Sequence, residues 1–372
     1  MKNIVLFVAF ILFSFTSYAQ KVITCSEAGN FSEGLASFKV DDKWGFINTK
    51  GDIVIQPKYS NPFEQPIFSN GLCGLIDPAT KKWGYIDTTG NVAIPFNLYN
   101  CTPFYDSVTV NYAAGDQKKL LARWRIINKK GEILLETSPN DYTYKTYFKE
   151  GLARLSKKYK YGFMDAAGNV VIETKYEGVQ DFSEGFAAAK SNGKWGYLDR
   201  KGNVKIDFQY SEELQPFSNG RAFIRGANYK WALIDTSNKI IFQPTFEQIF
   251  PFSEGLAAVS LRDAKGTEFF KIIDANGKSV KEFKQTGKEK DMINFKSGFS
   301  EGLAVANQGY GNNLGFVDAK GKTAIGFDFS DLHSFSNGLA YAEKVDSKTN
   351  NATKGFIDKK GKFVILIEAN KF

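Results

Sequence analysis

One pattern returns nine times along these 372 residues, and a chain built that way folds as a row of like units. Its first landmark is Phe-Ser-Glu-Gly, at Phe31 to Gly34, Phe182 to Gly185, Phe252 to Gly255 and Phe299 to Gly302. Asn takes the place of Glu in Phe68 to Gly71, Phe217 to Gly220 and Phe335 to Gly338, while Phe148 to Gly151 is a variant and Phe104 to Ser107 a worn copy. From Phe148 to Phe252 successive copies lie 34, 35 and 35 residues apart. A second landmark follows each copy: aromatic, Gly, aromatic, aliphatic, Asp or Asn, then Gly three residues on. Trp44-Gly45, Trp83-Gly84, Tyr161-Gly162 and Trp195-Gly196 carry it closely. Trp124-Arg125, Trp231-Ala232 and Phe270-Lys271 depart from it, and the last two units open on Leu314-Gly315 and Lys354-Gly355.

Each unit reads as three short strands: the run after the Phe-Ser-Glu-Gly turn, the Trp-Gly strand, and a β-branched run such as Ile53-Val54-Ile55. Short runs rich in Val, Ile, Phe and Tyr, punctuated by Gly turns, signal antiparallel hairpins. The expected fold is all-β, a tandem array of antiparallel three-stranded units. The short period and three clear strands favour an open solenoid-like superhelix. A closed β-propeller, with four strands per blade, is the alternative, and residues 176–180 are a source for a fourth strand. Unit spacing widens around residues 105–147 and 263–298, so those stretches are expected to project as partner-contact surfaces.

Comparing copies assigns the repeated polar residues. Asn48, Asp87, Asn128, Asp165, Asp199, Asp235, Asp274, Asp318 and Asp358 share one turn position. Two of the nine carry no charge, so the position asks for a hydrogen-bond acceptor that caps a turn rather than for a calcium ligand. The Glu of Phe-Ser-Glu-Gly is replaced by Asn70, Asn219 and Asn337, and Asn cannot carry a catalytic proton, so these are turn residues. In the Trp-Gly strand, Trp44 and Phe46 share one face and Gly45 and Ile47 the other. The bare Gly leaves room for an aromatic ring of the next hairpin, and the aromatics are expected to form a core ladder. Exposed aromatics that stack on sugars are the competing reading.

His333 is the only histidine, which excludes a His-dependent triad or a two-His metal site. No phosphate-binding loop or dinucleotide fingerprint is present. The expectation is a non-enzyme without catalytic, cofactor or metal residues. The formal charge of +8 is mixed in sign, and the Lys278 to Lys296 stretch is broken by Glu282, Glu289 and Asp291, which argues against a nucleic-acid partner. Of three cysteines, Cys73 and Cys101 sit in neighbouring units and are the candidate disulfide pair. Lys2, the apolar run Ile4 to Phe15 and Ser17-Tyr18-Ala19 read as a signal peptide over residues 1–19, followed by a lead-in over 20–30 and nine repeats over 31–372. No later stretch is apolar enough to span a bilayer as a helix.

With Trp-Gly-Phe/Tyr-Ile-Asp, the downstream Gly, Ile55-Gln56-Pro57 and Phe242-Gln243-Pro244, and Phe-Ser-Glu-Gly-Leu-Ala, nearly the whole mature chain resembles WG-repeat proteins, common in bacteria. The resemblance implies a β-rich array of the bacterial envelope or exterior, periplasmic or extracellular, and supplies no catalytic residues. The expected function is an exported scaffold for an unknown protein partner, with a carbohydrate- or peptidoglycan-binding module as the alternative.

Overall fold

In the computed structural model, which describes residues 20–61, 65–113, 123–136, 143–144, 147–226, 228–283 and 288–369, nine small antiparallel sheets follow one another along the chain. They are not stacked in an open array. The last sheet meets the first, and the molecule is a closed nine-bladed β-propeller. This corrects the open-solenoid expectation. Blade 1 has strands Glu27–Ser32, Leu35–Val40, Lys43–Asn48 and Ile53–Tyr59 in that spatial order. Blade 5 repeats it with Gly178–Val179, Phe186–Ser191, Lys194–Asp199 and Val204–Tyr210. Six of the nine sheets have a fourth strand from the segment before the Phe-Ser-Glu-Gly turn, which is where residues 176–180 were expected to supply one. Among the described residues, blades 2, 3 and 6 show three strands. The only helical turn among them is Glu289–Asp291, between blades 7 and 8.

Closure begins with the chain's start. Lys21–Thr24 adds to blade 9 as a fifth strand, parallel to Phe363–Glu368, pairing Ile23 with Ile367. Ile23, Cys25 and Phe31 then pack with Leu339, Phe356 and Ile365 in one cluster shared by the first and last blades. The Phe31 and Phe356 rings meet edge to face at 4.8 Å. This contact is the same one made by Phe46 with Phe68, Tyr85 with Phe104, and Phe163 with Phe182, between blades 1 and 2, 2 and 3, and 4 and 5. The seam between blades 9 and 1 is therefore an ordinary junction strengthened by an added strand.

The Phe-Ser-Glu-Gly turn explains how blades are tied. Glu33 and Gly34 both have positive φ (53° and 81°), the tight hairpin geometry that keeps strand twist continuous. The Glu side chain then reaches the backbone N–H of the Gly one blade on: Gly71 donates to Glu33 at 2.8 Å, Gly185 to Glu150 at 2.9 Å, Gly220 to Glu184 at 2.7 Å and Gly302 to Glu254 at 2.8 Å. Gly338 donates to Glu301, Gly255 to Asn219 and Gly151 to Asp106. In blade 2, whose successor has Ser107 in place of Gly, Asn70 instead donates to the Phe104 carbonyl at 2.8 Å. Gly34 donates to Asn337 at 3.2 Å and completes the circuit. Glu and Asn interchange here because either can hydrogen-bond to the turn of the next blade, and these residues are more than turn formers.

The glycine of the Trp-Gly strand has a different use from the expected one. It does not admit a ring from the next hairpin. A Cβ on Gly45 would sit 2.5 Å from the Ile55 carbonyl oxygen and 2.7 Å from the Pro57 nitrogen, so the space belongs to the backbone of the unit's own outer strand. That strand bulges there: Trp44 pairs with Tyr59 and Phe46 with Ile55, two residues opposite four. The same irregularity recurs beside Gly84, Gly162, Gly196 and Gly315, and beside Ala232. Blades 3 and 7 place Arg125 and Lys271 at this position, and their strands run in regular register across it. Arg125 then pairs with the facing Glu136 at 2.6 Å and Lys271 with the facing Glu282 at 2.9 Å. Blade 9 keeps Gly355 without the bulge, and its straight outer strand is the one that receives Lys21–Thr24.

Candidate functional site

In sheets that radiate from an axis, the edges that touch lie nearest to it. First-strand segments touch between blades: Gln180 donates to Glu213 at 2.6 Å, His333 Nδ1 lies 2.8 Å from Asn30 Oδ1, and the rings of Tyr105 and Tyr147 stand 4.7 Å apart. The first strand is therefore axial and the fourth lies at the rim. Antiparallel order also gives the ring two unlike faces. One carries the Phe-Ser-Glu-Gly turns and the Asn/Asp turns, and the other the hairpins between second and third strands.

The first face is occupied by structure. All nine Asn/Asp oxygens accept two backbone N–H bonds within their own turn; Asn48 takes Lys50 at 2.9 Å and Asp52 at 3.0 Å, and Asp318 takes Lys320 and Lys322 at 2.9 and 2.8 Å. Asn128, without charge, does the same for Lys130 and Glu132. These oxygens cap turns, as expected, and the described residues hold no group of three or more potential metal ligands. The hydrogen bond from Thr89 holds the Asp87 carboxyl below its usual range, and Asn169 does so for Asp165. Hydrogen bonds to Ser237 likewise depress Asp235, and those to Asn203 outweigh burial at Asp199. A carboxyl depressed on folding stabilises above its unfolded pKa, near 3.9, and loses that contribution as pH falls through the folded value. The combined variant Asp87→Asn, Asp165→Asn, Asp199→Asn, Asp235→Asn should melt within about 5 °C of the parent at pH 7. It should also lose less of its Tm than the parent does between pH 7 and pH 3. Thermal melts at the two pH values check this.

The predicted aromatics divide. Phe46, Tyr85, Phe163, Tyr197, Phe316 and Phe356 are fully buried as a core ladder. The residues two before them line its margin. Trp44 is buried, whereas Trp83, Tyr161, Trp195 and Trp231 are half-buried, and cations on the facing strand cover several of them: Lys39 on Trp44, Lys190 on Trp195 and Arg225 on Trp231. The side chain of Trp124 and the signal-peptide stretch lie outside the described residues. The cysteines do not pair. Cys73 points into the cluster between blades 1 and 2, with Leu35 and Phe68, while Cys101 packs with Leu72, Tyr85 and Phe104 between blades 2 and 3. The sheet of blade 2 separates them, and burial raises the pKa of both thiols, as it raises Cys25 to about 11.

The widened windows are only partly described: residues 114–122, 137–142, 145–146 and 284–287, on which the expected projection falls, lie outside the described residues. Residues 105–147 contain blade 3 itself, with strands Val108–Ala113, Arg123–Asn128 and Ile133–Glu136, and residues 263–298 contain the rim strand Ser279–Phe283 and part of Ile293–Ser300. Among the described residues, what projects most is on the second face. Three hairpin tips each present a tyrosine: Tyr159 in blade 4 is 93% exposed, Tyr229 in blade 6 is 67% and Tyr310 in blade 8 is 79%. Tyr159 and Tyr229 have φ of 62° and 60°, where an aromatic residue is strained. Sequence reasoning missed these three because they lie outside the repeated landmarks. Their signal was a Tyr at a hairpin tip where blade 5 uses Asn192-Gly193. Between blades 4 and 5 an open cleft of about 890 Å³ runs beneath Tyr159, lined also by Tyr161, Trp195, Arg154 and Glu177.

The sequence pattern of the "WG containing repeat" matches residues 23–44, 44–73, 83–110, 161–195, 195–231, 231–263 and 315–348. No curated protein matches the sequence. Among solved structures, a crystal structure of the eukaryotic initiation factor superposes with a TM-score of 0.56 at 11% identity, covering 91% of this chain and 98% of that one. The WD40 domain of Toxoplasma gondii coronin aligns over 89% of each chain at 9% identity, with a TM-score of 0.35. At such identities the first likeness speaks to the fold alone.

Proposed function

This chain belongs to the WG containing repeat family, and from that membership and the ring's geometry we propose that it is an exported, non-catalytic scaffold that binds protein partners at the bacterial envelope or outside the cell. The observation that carries this reading is the trio Tyr159, Tyr229 and Tyr310 on the hairpin face. Tyrosines supply large, amphipathic contact area at low entropic cost, and interface hot spots are enriched in them. A rigid ring that holds them on one face presents a pre-organised surface, which lowers the ordering cost of binding. The opposite face, engaged in blade-to-blade hydrogen bonds, has fewer groups to offer.

Support for a non-catalytic role comes from the repetition of every conspicuous polar residue and from the engagement of His333 with Asn30 at the closing seam. Support for export comes from Lys2, Ile4 to Phe15 and Ser17-Tyr18-Ala19. No helix among the described residues is long and apolar enough to cross a membrane. The test is capture from envelope extract with the parent and with Tyr229→Ala, Tyr310→Ala. A prey protein retained by the parent and lost by the variant, at unchanged Tm, is the expected result. Equal capture by both would refute this face as the contact surface, and an N-terminus other than Gln20 in exported protein would refute the cleavage site.

A further inference from the structure

We infer that the cleft between blades 4 and 5 binds an oligosaccharide, with Trp195 and Tyr159 as the stacking platforms. Two features that depart from the repeat single this cleft out. The first is Gly178. The four-residue offset before the Phe of the repeat turn is Glu27 in blade 1, Glu213 in blade 6, Gln248 in blade 7, Phe295 in blade 8 and Asp331 in blade 9. In blade 5 it is Gly178, where a Cβ would stand 3.2 Å from the rim of the Trp195 indole. The missing side chain uncovers an indole edge that a longer residue would shield. The second is Tyr159, which follows Lys158 in a hairpin tip where both have positive φ (49° and 62°) and where its ring is almost wholly in solvent. A strained, exposed aromatic beside an uncovered one is the kind of outlier from which a function is inferred.

The lining chooses the ligand. Arg154 is held by Asp181 at 2.8 Å and donates to the Val179 carbonyl, and Glu177 accepts from the Gly193 N–H at 3.0 Å. Both signs of charge are present and each is partly satisfied, so the cleft does not select an ion. The Tyr159 ring and the part of the Trp195 indole that Lys190 leaves open, with hydrogen-bonding groups set between them, suit a ligand that is apolar on its faces and polar around its edge, which describes a pyranose ring. Ring stacking of this kind tolerates variation along a polymer. A volume of about 890 Å³ lies within the range of ligand clefts and holds several sugar units. A peptide adding to the sheet would find only Gly178–Val179 as an axial edge, too short to direct strand addition.

The cleft shares Tyr159 with the face proposed for partners, but the two readings fail separately, because the capture test changes Tyr229 and Tyr310 and leaves Tyr159 and Trp195 in place. Calorimetric titration of the full mature chain with cellotetraose, chitotetraose and mannotetraose, and with a proline-rich decapeptide, tests it. At least one tetrasaccharide should bind, and Tyr159→Ala and Gly178→Asp should each weaken it about tenfold or more. Tyr310→Ala should leave it unchanged, and Tyr159→Ala and Tyr310→Ala should keep the parent's Tm, so that the Tyr159 variant reads the site even if Gly178→Asp shifts the indole. Failure of all three sugars to bind, or binding indifferent to both cleft variants, overturns the inference. Binding of the decapeptide alone, lost in the same variants, overturns the ligand class.

Discussion

Removal of residues 20–24 is expected to lower the unfolding free energy by roughly 3–6 kcal/mol, the sum of one buried isoleucine and a short run of backbone pairs. Ile23 is 7% exposed and packs against the cluster that joins blades 1 and 9. The strand also pairs four residues in parallel with Lys-free backbone of the last blade, Ile365 to Glu368, and Gln20 donates to the Phe363 carbonyl at 2.9 Å. The loss should not be total, because Phe31 with Phe356, Gly34 with Asn337 and His333 with Asn30 still cross the seam. Chemical denaturation checks the size of the effect, and Ile23→Asp should reproduce much of it by burying an unpaired charge. A truncated chain as stable as the parent would show that the added strand does not hold the ring.

The second large effect is at the Trp-Gly strand. Gly45→Val should destabilise by about 3–4 kcal/mol or prevent folding of blade 1, because its Cβ would meet backbone atoms of Ile55 and Pro57 that have no flexible side chain to move aside. The informative contrast is Lys271→Gly in blade 7. There the outer strand runs regular, and the change removes only a partly exposed ion pair with Glu282, for a cost of about 1 kcal/mol or less beyond the glycine's own entropy. Denaturation midpoints of the two variants check the prediction. Similar costs at both positions would mean that the bulged strand does not require a glycine beside it.

Much of this architecture was legible in the residues. Hairpins, turn caps and the repeat boundaries are set by contacts within about a dozen positions, and each leaves a local signature: Asn48 with Lys50, Glu33 beside Gly34, Ile55 before Pro57. The aromatic ladder was readable because alternation along a strand assigns faces. The role of Gly45 was not, since the outer-strand bulge that crowds it is a property of two strands in register. The candidate cleft escaped for the opposite reason. Tyr159 and Gly178 break the repeat, and a reading that looks for what recurs passes over what occurs once.

The sequence by itself determined an all-β chain of nine like units and the turn-capping part played by the nine repeated Asn and Asp residues. Only the tertiary structure decided that the row closes, bringing Ile23 beside Ile365, Phe31 onto Phe356 and Gly34 to Asn337. The closing junction uses contacts of the same kind as those between other blades, so no one unit records where the series ends. Whether it closes depends on a small wedge between neighbouring sheets, added up over the whole chain, and on one short strand at its start finding the free edge of the last blade.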